Sequence, residues 1–468
     1  MLRVAVVGSG PSGVYAAQGL VGQCEVPGVR VDVLDRLPTP YGLVRYGVAP
    51  DHEKIKSLQG NLRAVLEDDR VRFLGDVEVG GPRLSTGRLL ELYHAVVYCV
   101  GAARDRPLGI PGEELAGVHS ATEFVAWYSG HPDAAAGDFA LARARSAVVV
   151  GAGNVAVDVV RLLARGAPEL APTDMPQQAL GALAASGVRT VAMVARRGPS
   201  QARFTTKELR ELGALPGVDA LVDPAEAALD PAYAAGPDAA AELPAVARRN
   251  LEVLRGWALR GPGGARRRVV LRFYLRPVEV LGGPGGRVTG VRFERTVPDG
   301  PDAVTGTGVY EELEAQLVLR SVGYRGVPLP GLPFDPVTGT VPHAAGRVLR
   351  AGRASPGEYV AGWIKRGPTG VIGTNRPCAK ETVSCLLQDA GALARRALPG
   401  DPLDALRAAG LRPVEWSGWL AVEAAEAELG RSLGRRSVKI PDRPGLLRAA
   451  GARPGPAPGT AAGGAAPG

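Results

Sequence analysis

Two stretches of the chain share one hydrophobic texture. Leu2–Val7 is a short, nearly continuous apolar run that ends in a glycine turn, as a strand buried on both faces would. Pro11–Leu20 reads as a helix and Val29–Leu34 as a second strand. Strand, helix and strand so closely spaced predict a parallel unit. The pattern returns with Ala147–Val150 as a strand, Asn154–Ala164 as a helix and Val188–Val194 as a strand, with Pro168–Ser186 as an excursion between them. Later, Val269–Leu275, Val278–Leu281, Val288–Phe293 and Ala315–Val322 alternate or run apolar between Gly/Pro turns, and predict β-strands on the return to the first unit. Residues 416–434 predict a surface helix. From Pro441 onward Pro, Gly and Ala dominate, which predicts a disordered tail over 441–468.

Length and composition narrow this picture. A chain of 468 residues, 46% hydrophobic, has room for two or three domains with sizeable cores. The net charge of +8 favours acidic partners or anionic cofactors. No Lys/Arg-rich run with interleaved aromatics occurs, so nucleic acid is not the expected partner. The four cysteines, Cys24, Cys99, Cys378 and Cys385, include no C-x-x-C pair. A redox dithiol, a zinc ribbon and an iron–sulfur cluster therefore lack ligands, and no metal site is expected. Residues 2–7 have no basic lead-in or cleavage pattern, and no apolar run approaches the roughly 18 residues of a membrane span. The expectation is a cytoplasmic protein.

Two glycine motifs carry the chemistry. In VAVVGSGPSG, Gly8, Gly10 and Gly13 fit G-x-G-x-x-G between strand and helix, and Asp35 closes the second strand, where a carboxylate accepts from ribose hydroxyls. In VVVGAGNVAVD, Gly151, Gly153 and Ala156 fit G-x-G-x-x-A, but the second strand ends in Arg196-Arg197 rather than an acid. Guanidinium forks there would bind a 2′-phosphate that a carboxylate would repel. Two arginines at roughly 1.5–3 kcal/mol each would favour NADP over NAD by about 10²–10⁴. One acidic and one basic ribose end suggest a flavin paired with NADP(H). A third segment, residues 358–383, predicts a strand to Gly362, a glycine-rich turn and a helix from about Arg376, whose N-terminus would face the flavin ring. Trp363, taken alone, reads as core.

With these residues in place, the chain resembles the adrenodoxin-reductase-like family of ferredoxin–NADP⁺ reductases. The likeness runs to about residue 440 through VVGSGPSG, PTPYGLVRYGVAPDH, VVGAGNVAVDVVRLL, RRGPSQARFTTKELREL and GWIKRGPTGVIGTN, in that order. It implies FAD held around Ser12, Asp35, Leu43, Val79, Trp363, Gly370, Val371 and Ile372. It implies NADP(H) against Gly153, Asn154, Val155, Ala156, Arg196, Arg197, Glu208 and Gly370. His52 and Glu211 would lie beside the reacting rings as catalytic residues. Asp35 stands where the family usually has Glu, so its ribose contact would be longer or bridged by water. Ser12 replaces a common Ala, and Arg376-Pro377-Cys378 replaces a more usual Lys-x-Asp.

The fold class expected is α/β: two Rossmann-like dinucleotide-binding domains, with the NADP domain (106–324) inserted into a discontinuous FAD domain (1–105 and 325–440). The implied reaction is hydride transfer between NADPH and flavin N5, with electrons passed singly to an acidic ferredoxin-type iron–sulfur protein. Three enzyme alternatives stand beside this reading. A disulfide reductase lacks its cysteine pair here. A flavin monooxygenase would couple oxygen uptake to a small substrate. An electron-donating subunit of a larger complex, such as that of glutamate synthase, would carry cysteine clusters. A non-enzymatic nucleotide sensor would bind both dinucleotides without turnover.

Overall fold

A computed structural model describes residues 1–134, 139–235, 242–300 and 302–451. Strands β1 (Leu2–Val7), β2 (Val29–Leu34), β3 (Val71–Leu74) and β4 (Ala95–Tyr98) form a parallel core in the order β4-β1-β2-β3. The sheet is completed on the β4 side by strand Arg353–Val360, parallel to β4, and then by Arg347–Arg350 and His343–Ala344, both antiparallel. Strands from opposite ends of the sequence thus share one sheet. The apolar run of β1 follows from this. Leu2, Val4 and Val6 face helices Pro11–Val21 and Asn375–Leu393, while Ala5 and Val7 face a second core with Leu89 and Leu92.

The chain leaves this sheet after β4 and builds a second one. Its strand order is Val118–Ser120, Leu317–Arg320, Ser146–Val150, Thr190–Val194, Arg267–Arg272, Val218–Val222, every pair parallel. Again alternate residues divide between two cores. Ala147 and Val149 pack with helix Asn154–Ala164, and Val148 and Val150 pack with a separate antiparallel sheet. That sheet comprises Leu275–Gly282, Val288–Pro298 and Val304–Glu314. The antiparallel pair Arg104–Asp105 and Tyr324–Arg325 joins the outgoing and returning chain.

Most expected elements form within a few residues of their expected bounds. The segment Pro168–Ser186 contains helices Ala167–Leu170 and Gln177–Ala184, and helix Trp416–Ser432 occupies the predicted place. Strands Arg267–Arg272 and Leu317–Arg320 belong to the second sheet. Two expectations need correction. Strand Val304–Glu314 was not expected, because nearly every residue of it is exposed or half-buried and no apolar alternation marks it. Backbone pairing and cross-strand charges hold it instead, including Arg292–Glu312 at 2.8 Å. The tail also starts later than Pro441. Helix Arg443–Ala449 is capped by Asp442, which accepts from Gly445 N at 2.7 Å, and Leu446 is fully buried in the first core. Residues 452–468, the rest of the expected tail, lie outside the described residues.

Candidate functional site

Both glycine motifs form strand–turn–helix units. Gly8 and Gly151 adopt φ of +108° and +139°, open to glycine and strained for other residues. A Cβ on Gly8 would meet Cys99 O at 2.5 Å, so the turn also needs the missing side chain. The helices that follow start at Gly10 and Gly153 without a side-chain cap, so their first N–H groups are free for an anion. Gly10 and Gly42 approach closely; a Cβ on Gly42 would lie 3.0 Å from Gly10 Cα.

Asp35 is placed at the end of β2 but turns toward its own loop. Its Oδ2 accepts from Ser9 N (2.9 Å) and Ser9 Oγ (2.6 Å), and Oδ1 accepts from Leu37 N at 3.0 Å. Burial raises its pKa above the ordinary carboxylate value, against the lowering effect of those bonds. Around the same loop, Ser12 is buried, Val79 lies in the core, and Leu43 exposes 39% of its surface. Trp363 begins the short helix Trp363–Arg366, lies 5.4 Å from the Tyr324 ring between centroids, and has no partner for Nε1 among the described residues. Gly370 and Val371 are exposed and Ile372 half-buried, just before helix Asn375–Leu393. Exposed apolar groups on Leu43 and Val371, a close-approach glycine pair and an uncapped helix fit a flavin dinucleotide: apolar surface for the ring system and N–H groups for the pyrophosphate.

At the second motif, Asn154 Oδ1 accepts from Thr205 N at 2.8 Å, Val155 is half-buried and Ala156 is fully buried. Arg196 is exposed and Arg197 half-buried. Among the described residues, Arg197 Nη1 reaches only Asp302, at 3.4 Å from its carbonyl and 3.5 Å from its carboxylate. Burial lowers the Arg197 pKa, and the charges of Arg203 and Arg196 add to that. An uncapped helix with weakly partnered arginines beside it suits a phosphorylated dinucleotide.

The two units meet at His52. Its backbone carbonyl accepts from Ile55 N and Lys56 N, which starts the short helix Glu53–Lys56. Its side chain points the other way, into the second unit. Nε2 lies 2.9 Å from Asp158 Oδ1 and 3.1 Å from Glu208 Oε2, and Nδ1 lies 3.8 Å from Glu211 Oε2. Helix Thr206–Gly213 therefore presents Glu208 and Glu211 on one face, as i, i+3 spacing requires, and both reach one imidazole. Arg161, almost fully buried, donates to Asp158 Oδ1 at 2.7 Å and pairs with Asp51; its Nη2 is 2.6 Å from His52 Nε2. Nε2 cannot both accept from Arg161 and donate to a carboxylate. Two carboxylates against one guanidinium favour the donating, protonated ring. Burial by itself lowers the His52 pKa, but hydrogen bonds to Asp158 and Glu208 outweigh it and raise it to about 9. Sequence reading did not single out Asp158 and Arg161. Their spacing of three on a helix predicted to follow a glycine loop was the available signal.

Comparison with known proteins places this geometry. Residues 2–194 match the family model described as pyridine nucleotide-disulphide oxidoreductase. NADPH-ferredoxin reductase FprA of Mycobacterium tuberculosis is 45% identical over 460 residues, covering 95% of this chain and 98% of that protein. The chain belongs to the adrenodoxin-reductase-like ferredoxin–NADP⁺ reductases. The human mitochondrial NADPH:adrenodoxin oxidoreductase is 41% identical over 466 residues, with 96% and 92% of the two chains covered. A solved structure of the Mycobacterium tuberculosis FprA in complex with NADPH superposes with a TM-score of 0.88 at 44% identity, over 96% of this chain and 99% of that one. The family is one of FAD- and NADP(H)-using oxidoreductases, and the α/β fold with two dinucleotide-type units is the one expected. No described helix is long and apolar enough to cross a membrane.

Proposed function

We infer that this chain is an FAD-dependent ferredoxin–NADP⁺ reductase, moving electrons between NADPH and an iron–sulfur protein of ferredoxin type. The observation that carries the reading is one chain with two uncapped glycine-loop helices and a charged junction, His52 with Glu208 and Glu211, between their units. FAD, when bound, supplies a hydride acceptor at N5 and releases electrons one at a time. The protein's part is binding, orientation and charge.

Residues 1–105 and 325–440 hold FAD, with helix Arg443–Ala449 packed on the same core, and residues 106–324 hold NADP(H). The loops at Gly8–Gly13 and Gly151–Ala156 seat the two pyrophosphates. Leu43, Trp363 and the turn Gly370–Ile372 border the flavin ring. Arg196 and Arg197 select the 2′-phosphate. His52 and Glu211 orient the nicotinamide and set the local charge, and Glu208 secures the His52 ring. Hydride transfer needs no obligatory side-chain acid, so this pair is tuning rather than relaying protons. The electron acceptor is acidic, in keeping with the net charge of +8, and the site of action is the cytoplasm.

The test is reduction of cytochrome c by NADPH with and without a ferredoxin from the same organism. Ferredoxin should raise the rate, NADH should substitute poorly, and Arg196→Ala with Arg197→Ala should raise KM for NADPH far more than for NADH. Substrate-dependent oxygen uptake with no response to ferredoxin would replace this reading with a monooxygenase.

A further inference from the structure

The loop between strand Thr190–Val194 and helix Thr206–Gly213 does more than carry Arg196 and Arg197. It is tied back onto the second glycine motif at two points. Arg203 N donates to Ala152 O, and Thr205 N donates to Asn154 Oδ1, both at 2.8 Å. Farther up the loop, Ser200 N donates to Asp230 Oδ2 at 2.8 Å. These bonds fix the backbone of Arg203 against the turn that seats the dinucleotide. Phe204, the next residue, is a core residue, and Pro199 earlier in the loop is buried. Arg203 itself is exposed, and among the described residues its guanidinium has no hydrogen bond or ion pair.

Arg203 also shares an electrostatic field with the pair already assigned. Burial lowers the Arg197 pKa, and the charges of both Arg203 and Arg196 add to that. Asp302, whose side chain is 88% exposed, meets Arg197 at 3.5 Å, and the buried Asp230 is engaged by Ser200 N on the same loop. Three cations on one loop repel one another at a cost that a dianion would remove.

We propose that Arg203 is the third cation of the 2′-phosphate site and, with Arg196 and Arg197, sets the preference for the phosphorylated dinucleotide. The proposal rests on the reading of this unit as the NADP(H) site. It assigns Arg203 to the ribose end because Arg203 stands on the same loop as Arg196 and Arg197, the loop that leaves the end of strand Thr190–Val194.

Calorimetric titration of the FAD-loaded protein with NADP⁺, NAD⁺ and 2′,5′-ADP tests it, using wild type, Arg203→Ala, Arg203→Lys and the double variant Arg196→Ala/Arg197→Ala. Arg203→Ala should weaken NADP⁺ and 2′,5′-ADP about tenfold, as expected for losing one charge-assisted hydrogen bond, and change NAD⁺ less than about twofold. Arg203→Lys should recover part of the loss. The NADP⁺ affinity of Arg203→Ala should also depend less steeply on salt than that of wild type. Equal losses for NADP⁺ and NAD⁺ would move Arg203 to the pyrophosphate and overturn the proposal, and so would unchanged affinity for all three ligands. The double variant separates the failures. If it loses the preference for NADP⁺ while Arg203→Ala keeps it, only the third cation falls. If it too keeps the preference, the assignment of this unit to NADP(H) falls with it.

Discussion

At the scale of the residue, His52 decides how the junction responds to pH. Its folded pKa, about 9, lies above the ordinary 6.5. A group with a raised folded pKa stabilises the native state fully below its unfolded value and loses that contribution as pH rises through the folded one. The contribution of His52 should therefore be complete below pH 6.5 and fade toward pH 9. Lys439 runs the other way in part of this window, since burial lowers its pKa to about 7. The measurement is thus a difference: urea midpoints of wild type minus His52→Gln, from pH 6 to 9.5. The difference should shrink as pH rises, and a constant difference would mean that the ring has the same pKa folded and unfolded. In rapid mixing with NADPH, His52→Gln and Glu211→Ala should change the flavin reduction rate by about 2- to 10-fold with FAD retained. Complete loss of reduction with both cofactors bound would make the pair essential rather than orienting.

At the scale of the element, packing and pairing override composition. Helix Arg443–Ala449 lies in a stretch rich in Arg, Pro, Gly and Ala, yet it folds because Asp442 caps it and Leu446 enters the first core. Leu446→Ala should cost about 2–5 kcal/mol in chemical denaturation, as deletion of a buried leucine does. An effect under about 0.5 kcal/mol would mean that the helix is not docked in solution. Strand Val304–Glu314 is the converse case. Its exposed sequence carries Gly306, Gly308 and several glutamates, and its place is set by the neighbouring strand Val288–Pro298.

At the scale of the whole molecule, charge is arranged on two levels. Buried charge acts within and between the units: Arg45 pairs with Glu426 at 2.6 Å inside the first, and Arg161 and Arg165 pair with Asp51 across the two. Exposed charge leaves a net +8 for the partner to meet. Exposed attraction is screened over about 8–10 Å at working salt, whereas the buried pairs are not. Turnover with ferredoxin should fall steeply between 50 and 300 mM salt, while ferricyanide reduction by NADPH stays nearly level. Parallel declines in both activities would place the salt effect in the reductase itself and remove the case for an acidic partner.

The sequence by itself determined the two strand–glycine-turn–helix units, because a strand buried on both faces must be apolar and a turn that approaches phosphate must lack side chains. It also marked Arg196-Arg197 and the segment around His52. Only the tertiary structure decided which residues meet. That Asp158, Arg161, Glu208 and Glu211 surround one imidazole depends on docking two units whose residues are far apart in the chain. That Asp35 accepts from Ser9 depends on the parallel pairing that sets the ends of β1 and β2 side by side. That Arg203 stands beside the second glycine turn depends on a backbone bond to Ala152. Hydrophobic periodicity is a local property and writes strands and helices into the sequence. The partners of a buried charge are set by the three-dimensional path of the chain, and no local pattern records them.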